Sequence, residues 1–219
     1  MTQPGRAALA TVSGATLAAV SGATRQPAAA LGPRANRTIA RILDATREVF
    51  LTRGYTGTTI DEIARAAGVS RASFYTYYPS KRDVLLAVGA RSVGETLQWV
   101  GRLRTLEPTR DVIIDAVGEY FRLLDVHGAF AFAWTQAAQE DYEIRTAGMR
   151  THVDLCRRMG EALATLGGVD VDDAAALGIS VSSMMERAWD YCRLYQYTVE
   201  RDVVEREIAN IIWRTITPQ

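Results

Sequence analysis

"TTIDEIARAAGVSRASFYTYYPSKRDVL" (residues 58–85) contains two helical signals separated by a tight glycine turn. Thr59 precedes Glu62 by three residues, the spacing of a capping box in which each side chain satisfies the other's backbone amide. Ile60, Ile63, Ala64 and Ala67 form one apolar face, and Gly68 stops the run. Ser70 can then cap a helix from Arg71 to Tyr77, and Pro79-Ser80 breaks and restarts the chain before Lys81. Four aromatics, Phe74, Tyr75, Tyr77 and Tyr78, crowd this short helix beside positive charge. A buried strand would exclude the arginines. A helix that packs on one side and meets a polyanion on the other needs both residue types.

Two short helices joined in this way read as a helix-turn-helix, whose second helix enters the DNA major groove. Close approach to base edges calls for small or hydroxylated residues at its start, which Ser70, Arg71, Ala72 and Ser73 supply. Phe74 is expected to face the first two helices. Tyr75 and Tyr77 would bring phenol hydroxyls to backbone phosphates, and Lys81 would add a point charge. The amide-rich helix starts at Thr59 and Ser80 offer further phosphate sites. Upstream, "NRTIARILDATREVFLTRGY" (36–55) carries helical periodicity through Ile39, Ile42, Leu43, Val49 and Phe50 up to Gly54.

On these motifs the stretch resembles the DNA-binding domain of the tetracycline-repressor (TetR) family of bacterial regulators, strongly over residues 37–88. The resemblance implies DNA contact at Thr59, Ser73, Tyr75, Tyr77 and Lys81. The family often has Thr at the position of Ser73, and His or Tyr followed by Phe at Tyr77-Tyr78; both departures keep the chemistry. It further implies an all-α homodimer that represses genes until a small ligand releases it from DNA.

Bulk properties agree with a helical regulator. The chain has 219 residues, is 48% hydrophobic and has a formal net charge of zero. That balance hides an asymmetry. Residues 34–91 hold ten Arg/Lys against five Asp/Glu, a net of +5, and residues 92–219 hold 13 against 20, a net of −7. The basic front suits an anionic polymer. Cys156 and Cys192 show neither zinc-ligand spacing nor a disulfide framework, which fits a reducing cytoplasm. The longest strictly apolar run, Ala129 to Trp134, is far short of a membrane span. Residues 1–33 are rich in Ala, Gly, Ser and Thr, repeat "VSGAT" at 12–16 and 20–24, and read as a flexible tail. Gly14, Ser21 and Gly22 interrupt what would otherwise be a signal-peptide core.

The division expected is therefore a tail (1–33), a three-helix DNA-binding domain (34–80) and a helical ligand-binding and dimerisation domain (81–219), about nine helices in all. In the last domain a fourth helix runs from Lys81 to about Leu103. A fifth, capped by Thr109, runs to about Val126, and His127-Gly128 is a turn. The sixth covers roughly 129–139, and the seventh runs from Tyr142 to Leu166. The eighth is capped by Asp170 and reaches about Tyr197, and the ninth is capped by Thr198. Aromatic and sulfur side chains suggest an adaptable apolar pocket. Its expected lining is Trp99, Val117, Tyr120, Leu124, Trp134, Ser182, Met185, Trp189 and Trp213. The tail "SSMMERAWDY…ANIIWRTI" looks like mycobacterial members whose pocket accepts long hydrophobic molecules. Val204, Ile208 and Ile211 on the ninth helix, with Ala175, Ala176, Ile179 and Ser183 on the eighth, suggest a four-helix interface between two copies.

Enzyme readings find little support. His127 and His152 lack a nucleophile at motif spacing. His152 and Cys156 lie four apart on a helix, but a metal site needs more ligands than this region offers. Glu140, Asp141 and Glu143 read as a solvated face, and no cofactor loop is present. The readings left are a ligand-released DNA-binding repressor on a palindromic operator, a regulator without a small-molecule effector, and a helical enzyme.

Overall fold

The computed structural model describes residues 32–194 and 200–217. The expected tail, apart from Gly32 and Pro33, and the expected cap at Thr198 lie outside the described residues. Eight helices are present among them: α1 (Pro33–Arg53), α2 (Ile60–Ala66), α3 (Arg71–Tyr77), α4 (Lys81–Leu103), α5 (Arg110–Glu140), α6 (Tyr142–Gly167), α7 (Ala174–Leu194) and α8 (Arg201–Ile216).

Local chemistry sets most of the boundaries. Pro33 opens α1, and Gly54, at φ 68°, ends it in a backbone region that favours glycine. Thr59 and Glu62 form the full capping box of α2. Ser70, Ser80 and Thr109 each accept an amide hydrogen bond at the starts of α3, α4 and α5. Asp141 accepts from Glu143 and Ile144 to start α6, which Gly168 ends in the left-handed conformation. Asp173, rather than Asp170, holds the first turn of α7, where Oδ1 accepts from the Ala175 and Ala176 amides at 2.9 and 3.1 Å.

One boundary differs. The expected fifth and sixth helices are a single helix, α5, continuous through His127-Gly128. Gly128 is not a turn residue. A Cβ there would overlap the Trp189 ring, so glycine lets α7 come close without breaking α5.

α1 to α3 form a small head whose core is Ile42, Ile63, Ala64, Ala67 and Phe74, closed by Val84 and Val88 of α4. Phe74 is 0% exposed, and burial of such a ring stabilises the head by about 1.5–3 kcal/mol. The body has its own core, in which Trp99, Phe121, Met159, Met185 and Ile208 meet. Phe50, Leu85, Ala133, Ala137 and Ile144 join head to body. Within the body, α6 and α7 cross at backbone contact. A Cβ on Gly160 would run into the Ala174 carbonyl, and one on Gly178 into the Cys156 carbonyl.

Candidate nucleic-acid interface and ligand cavity

The head presents α3 beside the start of α1. A groove of about 660 Å³ lies between them, lined by Gly32, Pro33, Arg34 and Thr38 on one side and by Ala72, Ser73 and Thr76 on the other. Ser73 and Tyr77 are half-buried along it, whereas Arg71 and Tyr75 are exposed. Arg71 is aligned by Asp61 of α2, donating to both carboxylate oxygens at 2.9 Å, and its guanidinium lies 5.6 Å from the Tyr75 ring centroid. Phe74 points into the head core as expected. Tyr77 and Tyr78 pack at its edge, where burial pushes the Tyr78 phenol up to about 12.

Three of the expected DNA-contacting side chains have internal duties. The Thr59 hydroxyl donates to Glu62 Oε2 at 2.8 Å while accepting from the Glu62 amide at 3.3 Å. Ser70 Oγ accepts from the Ser73 amide at 3.0 Å. Lys81 is not an outward point charge. Its Nζ donates to the Tyr55 and Thr58 carbonyls at 2.7 and 2.9 Å and sits 4.3 Å from the Tyr55 ring centroid, and burial lowers its pKa. It thereby stitches α4 to the turn that precedes α2. From α1, Arg41 reaches the helix-turn-helix itself, donating to the Ala67 and Gly68 carbonyls at 2.6 and 2.8 Å. Arg41 was not singled out from the sequence.

In the body a cavity of about 610 Å³ lies between α4, α5, α6 and α7. Of the expected lining, Tyr120, Leu124 and Trp134 stand in its wall. The rest do not. Trp99, Val117 and Met185 close around a crevice of only about 10 Å³ and are core. Ser182 is buried with its hydroxyl 3.4 Å from Cys156 Sγ. Trp189 lies behind Gly128 with Nε1 donating to Asp125 at 2.8 Å, and Trp213 packs at the edge of the core. Along α5, Phe130 faces Gly89 of α4 and Trp134 faces Gly148 of α6, while Met185 is taken up in the body core. Gly148 on α6 makes room for the Trp134 indole.

Wall residues that the sequence did not single out include Phe130, Arg145, Met149 and Glu186. His127, read as a turn residue and candidate catalytic group, and His152, weighed as a catalytic or metal-binding group, also line it. His127 Nε2 is 2.8 Å from Glu95 Oε2 of α4, and burial lowers the imidazole pKa. Burial opposes ionisation of Glu95, but the hydrogen bonds from His127 and Arg91 hold it below the ordinary carboxylate range. Glu186 has the opposite setting: burial raises its pKa, and the Tyr120 hydroxyl donates to it at 3.3 Å. His152 Nε2 lies 3.5 Å from Cys156 Sγ, and no group of three or more metal-ligating residues occurs among the described residues.

Cavity and head are wired together. Gln136 of α5 accepts from the Tyr55 and Thr56 amides at 2.6 and 3.3 Å, next to cavity residue Thr135 and about one turn from Gln139. Arg82 of α4 donates to Asp141 and Glu143 at the α5–α6 junction, at 2.8 and 2.9 Å. The expected solvated acidic face thus includes a cap and an interhelical ion pair. Glu95 also accepts from Arg91 at 2.9 Å, and Arg91 reaches Asp44 of α1 at 3.3 Å.

A helix-turn-helix head carried on an all-helical body with an internal cavity defines the class: a DNA-binding regulator fold. Residues 42–88 match the family described as bacterial regulatory proteins, tetR family. That match makes the head similar to the DNA-binding domains of this family. The chain is 37% identical over 86 residues to the transcriptional activator FasR of Mycolicibacterium smegmatis, covering 39% of each chain. It is 31% identical over 130 residues to the regulator CymR of Pseudomonas putida, covering 54% of this chain and 59% of that one. The chain spans two fifths or less of the length of the curated relatives it matches first. Among solved structures, a TetR-family regulator from Mesorhizobium loti superposes with a TM-score of 0.65 at 14% identity, covering 84% of this chain and 97% of that one. FadR of Bacillus subtilis in complex with stearoyl-CoA superposes at 0.59 and 15% identity, covering 79% and 96%.

Proposed function

We propose that the protein is a transcriptional regulator, not an enzyme, that binds a palindromic operator as a homodimer in the cytoplasm and is released by a small hydrophobic ligand. The observation that carries this reading is the physical connection between cavity and head through Gln136. Filling the cavity displaces α5, and Gln136 transmits the shift to the turn that positions α2 and hence α3. Ser73 and Arg71 read base edges, Tyr75 and Tyr77 meet phosphates, and the amide ends of α2 and α4 add to the clamp. A neighbour solved with stearoyl-CoA supports an apolar cargo for a cavity of this kind.

Two-fold symmetry would set the recognition helices one DNA turn apart, roughly 34–36 Å. The surface between copies is read on α7 and α8, at Ile179 and Ile211 among the residues the periodicity suggested but not at Ile208. Ile208 is 4% exposed and belongs to the body core, whereas Ile179 and Ile211 are 39% and 50% exposed. Selection of binding sites from random DNA, followed by fluorescence anisotropy with and without added lipophilic compounds, tests the reading. A palindromic consensus, two chains per site and release by at least one compound support it. Absence of any sequence preference sinks it.

A further inference from the structure

We propose that the cavity recognises a lipophilic cation, an apolar body ending in a protonated amine or quaternary ammonium that pairs with Glu186. The inference rests on the cavity's being a ligand site, as the proposed function has it, and adds the class of ligand. The wall is largely hydrocarbon and aromatic, with Leu123, Leu124, Phe130, Trp134, Met149 and Leu155 as its main surfaces. Four side chains that can carry charge interrupt it: His127, Arg145, His152 and Glu186.

Burial and partners separate these four. Arg145 is exposed, lies over the Tyr142 ring with its guanidinium carbon 5.4 Å from the centroid, and stands at the outer end near Gln139. Water screens its charge. His127 is committed to Glu95. His152 contacts Cys156 at 3.5 Å, and its charge also favours an ionised Glu186 against the effect of burial. Glu186 enters the wall from α7, in contact with Tyr120. Among the described residues a single donor reaches it, the Tyr120 hydroxyl at 3.3 Å, and no ion pair within 4 Å involves it. A carboxylate can accept about four hydrogen bonds, so most of its capacity faces the cavity.

Other acids of the body differ in this respect. Asp125 accepts from Arg201 and Trp189, Asp190 from Arg187, and Asp154 from Arg157 and Arg158. Glu186 is a half-buried carboxylate on a largely apolar wall; His152 favours its charge through space, but no cation pairs with it within 4 Å among the described residues. Removing a charge from water without a partner is costly, and a ligand cation restores the balance. The Tyr120, Phe130 and Trp134 rings offer faces for the same cation. An anionic head would meet repulsion at Glu186 and find compensation only at the solvent-screened Arg145.

The test uses the full chain and a matched series: decyltrimethylammonium, decylamine, decanol and decanoate, each below its micelle concentration, titrated by calorimetry. The expected result is one saturable site per chain, with both cations binding at least tenfold tighter than decanol and decanoate. Glu186→Gln should abolish that preference and leave decanol affinity unchanged, and Glu186→Asp should retain it. If Glu186→Gln fails to fold, the probe series with the native chain and Glu186→Asp decides. Equal affinities across the series, or a cation preference that survives Glu186→Gln, overturn the proposal. Tighter binding of decanoate that is lost in Arg145→Ala also overturns it, while leaving the ligand-released regulator intact. Binding by none of the probes overturns the cation assignment; whether the protein is a DNA-binding regulator is read separately from the operator selection.

Discussion

Head and body reach the same kind of structure, packed helices, by different routes. In the head, α2 and α3 are short and almost every boundary has a nearby cause: Thr59 with Glu62, Ser70 with Ser73, Ser80 with Asp83. One ring, Phe74, closes the core. In the body, long helices are placed by contacts far apart in sequence. Gly128 admits Trp189, Gly148 admits Trp134, and Gly160 and Gly178 let α6 and α7 touch backbone to backbone. Local rules therefore dominate where function requires a rigid reading surface, and distant packing dominates where it requires an enclosed volume.

The largest effect should come from the head. Phe74→Ala deletes a fully buried ring and should cost about 3–5 kcal/mol. If head and body are distinct in the sense above, hydrogen exchange should accelerate in α1–α3 and change little in α6 and α7. Uniform acceleration would show a single cooperative unit.

Next is the crossing of α6 and α7. Gly178→Ala places a methyl group against the Cys156 carbonyl, and overpacking of this kind costs about 1–3 kcal/mol. Thermal unfolding should register the loss, and the cavity should change shape because Leu155 lies beside Cys156. A variant as stable as the parent would mean that the helices separate without penalty, and that the body is looser than the glycine contacts indicate.

Lys81→Ala separates a structural lysine from a phosphate-binding one. Loss of its two charged hydrogen bonds should cost about 1.5 kcal/mol of stability. Operator affinity should fall because α2 is no longer held, yet the slope of log affinity against log salt should stay the same. A slope reduced by about 0.9 would return Lys81 to direct phosphate contact.

The smallest effect concerns Glu186 and is stabilising. Burial raises its pKa, so the folded chain holds this proton more tightly than the unfolded chain. The corresponding stability is present below the ordinary glutamate value of about 4.3 and is lost as pH rises through the folded value. At pH 7.5 the ionised side chain is a liability, and Glu186→Gln should raise Tm; toward pH 4 the gain should shrink. A lower Tm for the variant at pH 7.5 would reveal a cationic partner within the folded chain.

How much was legible in the sequence follows the same division. The helix-turn-helix, the inward direction of Phe74 and the caps at Thr59, Ser70, Ser80 and Thr109 were readable, because they depend on residues three or four positions apart. Tyr120 and Leu124 were placed in the pocket on a helical apolar stripe and Trp134 on its aromatic character, and all three stand in the wall. The same reasoning misplaced Met185, Trp99 and Val117, since a stripe shows which face is buried but not whether a neighbour fills the space. Reading His127-Gly128 as a turn hid the continuity of α5 and the place of His127 and Phe130 in the wall. Ile208 was taken for a contact between copies because periodicity cannot distinguish a core from an interface. Lys81 looked like a phosphate ligand because its two carbonyl partners, on Tyr55 and Thr58, lie more than 20 residues earlier in the chain.

From residue order alone came the all-helical class, the DNA-reading head and its polarity of charge, since capping, periodicity and net charge are short-range or additive quantities. The position of the cavity, the isolation of Glu186 within it and the Gln136 connection to the head were decided only by tertiary structure. Each depends on which helices meet and at what distance, and that is settled by side chains tens of residues apart competing for the same space.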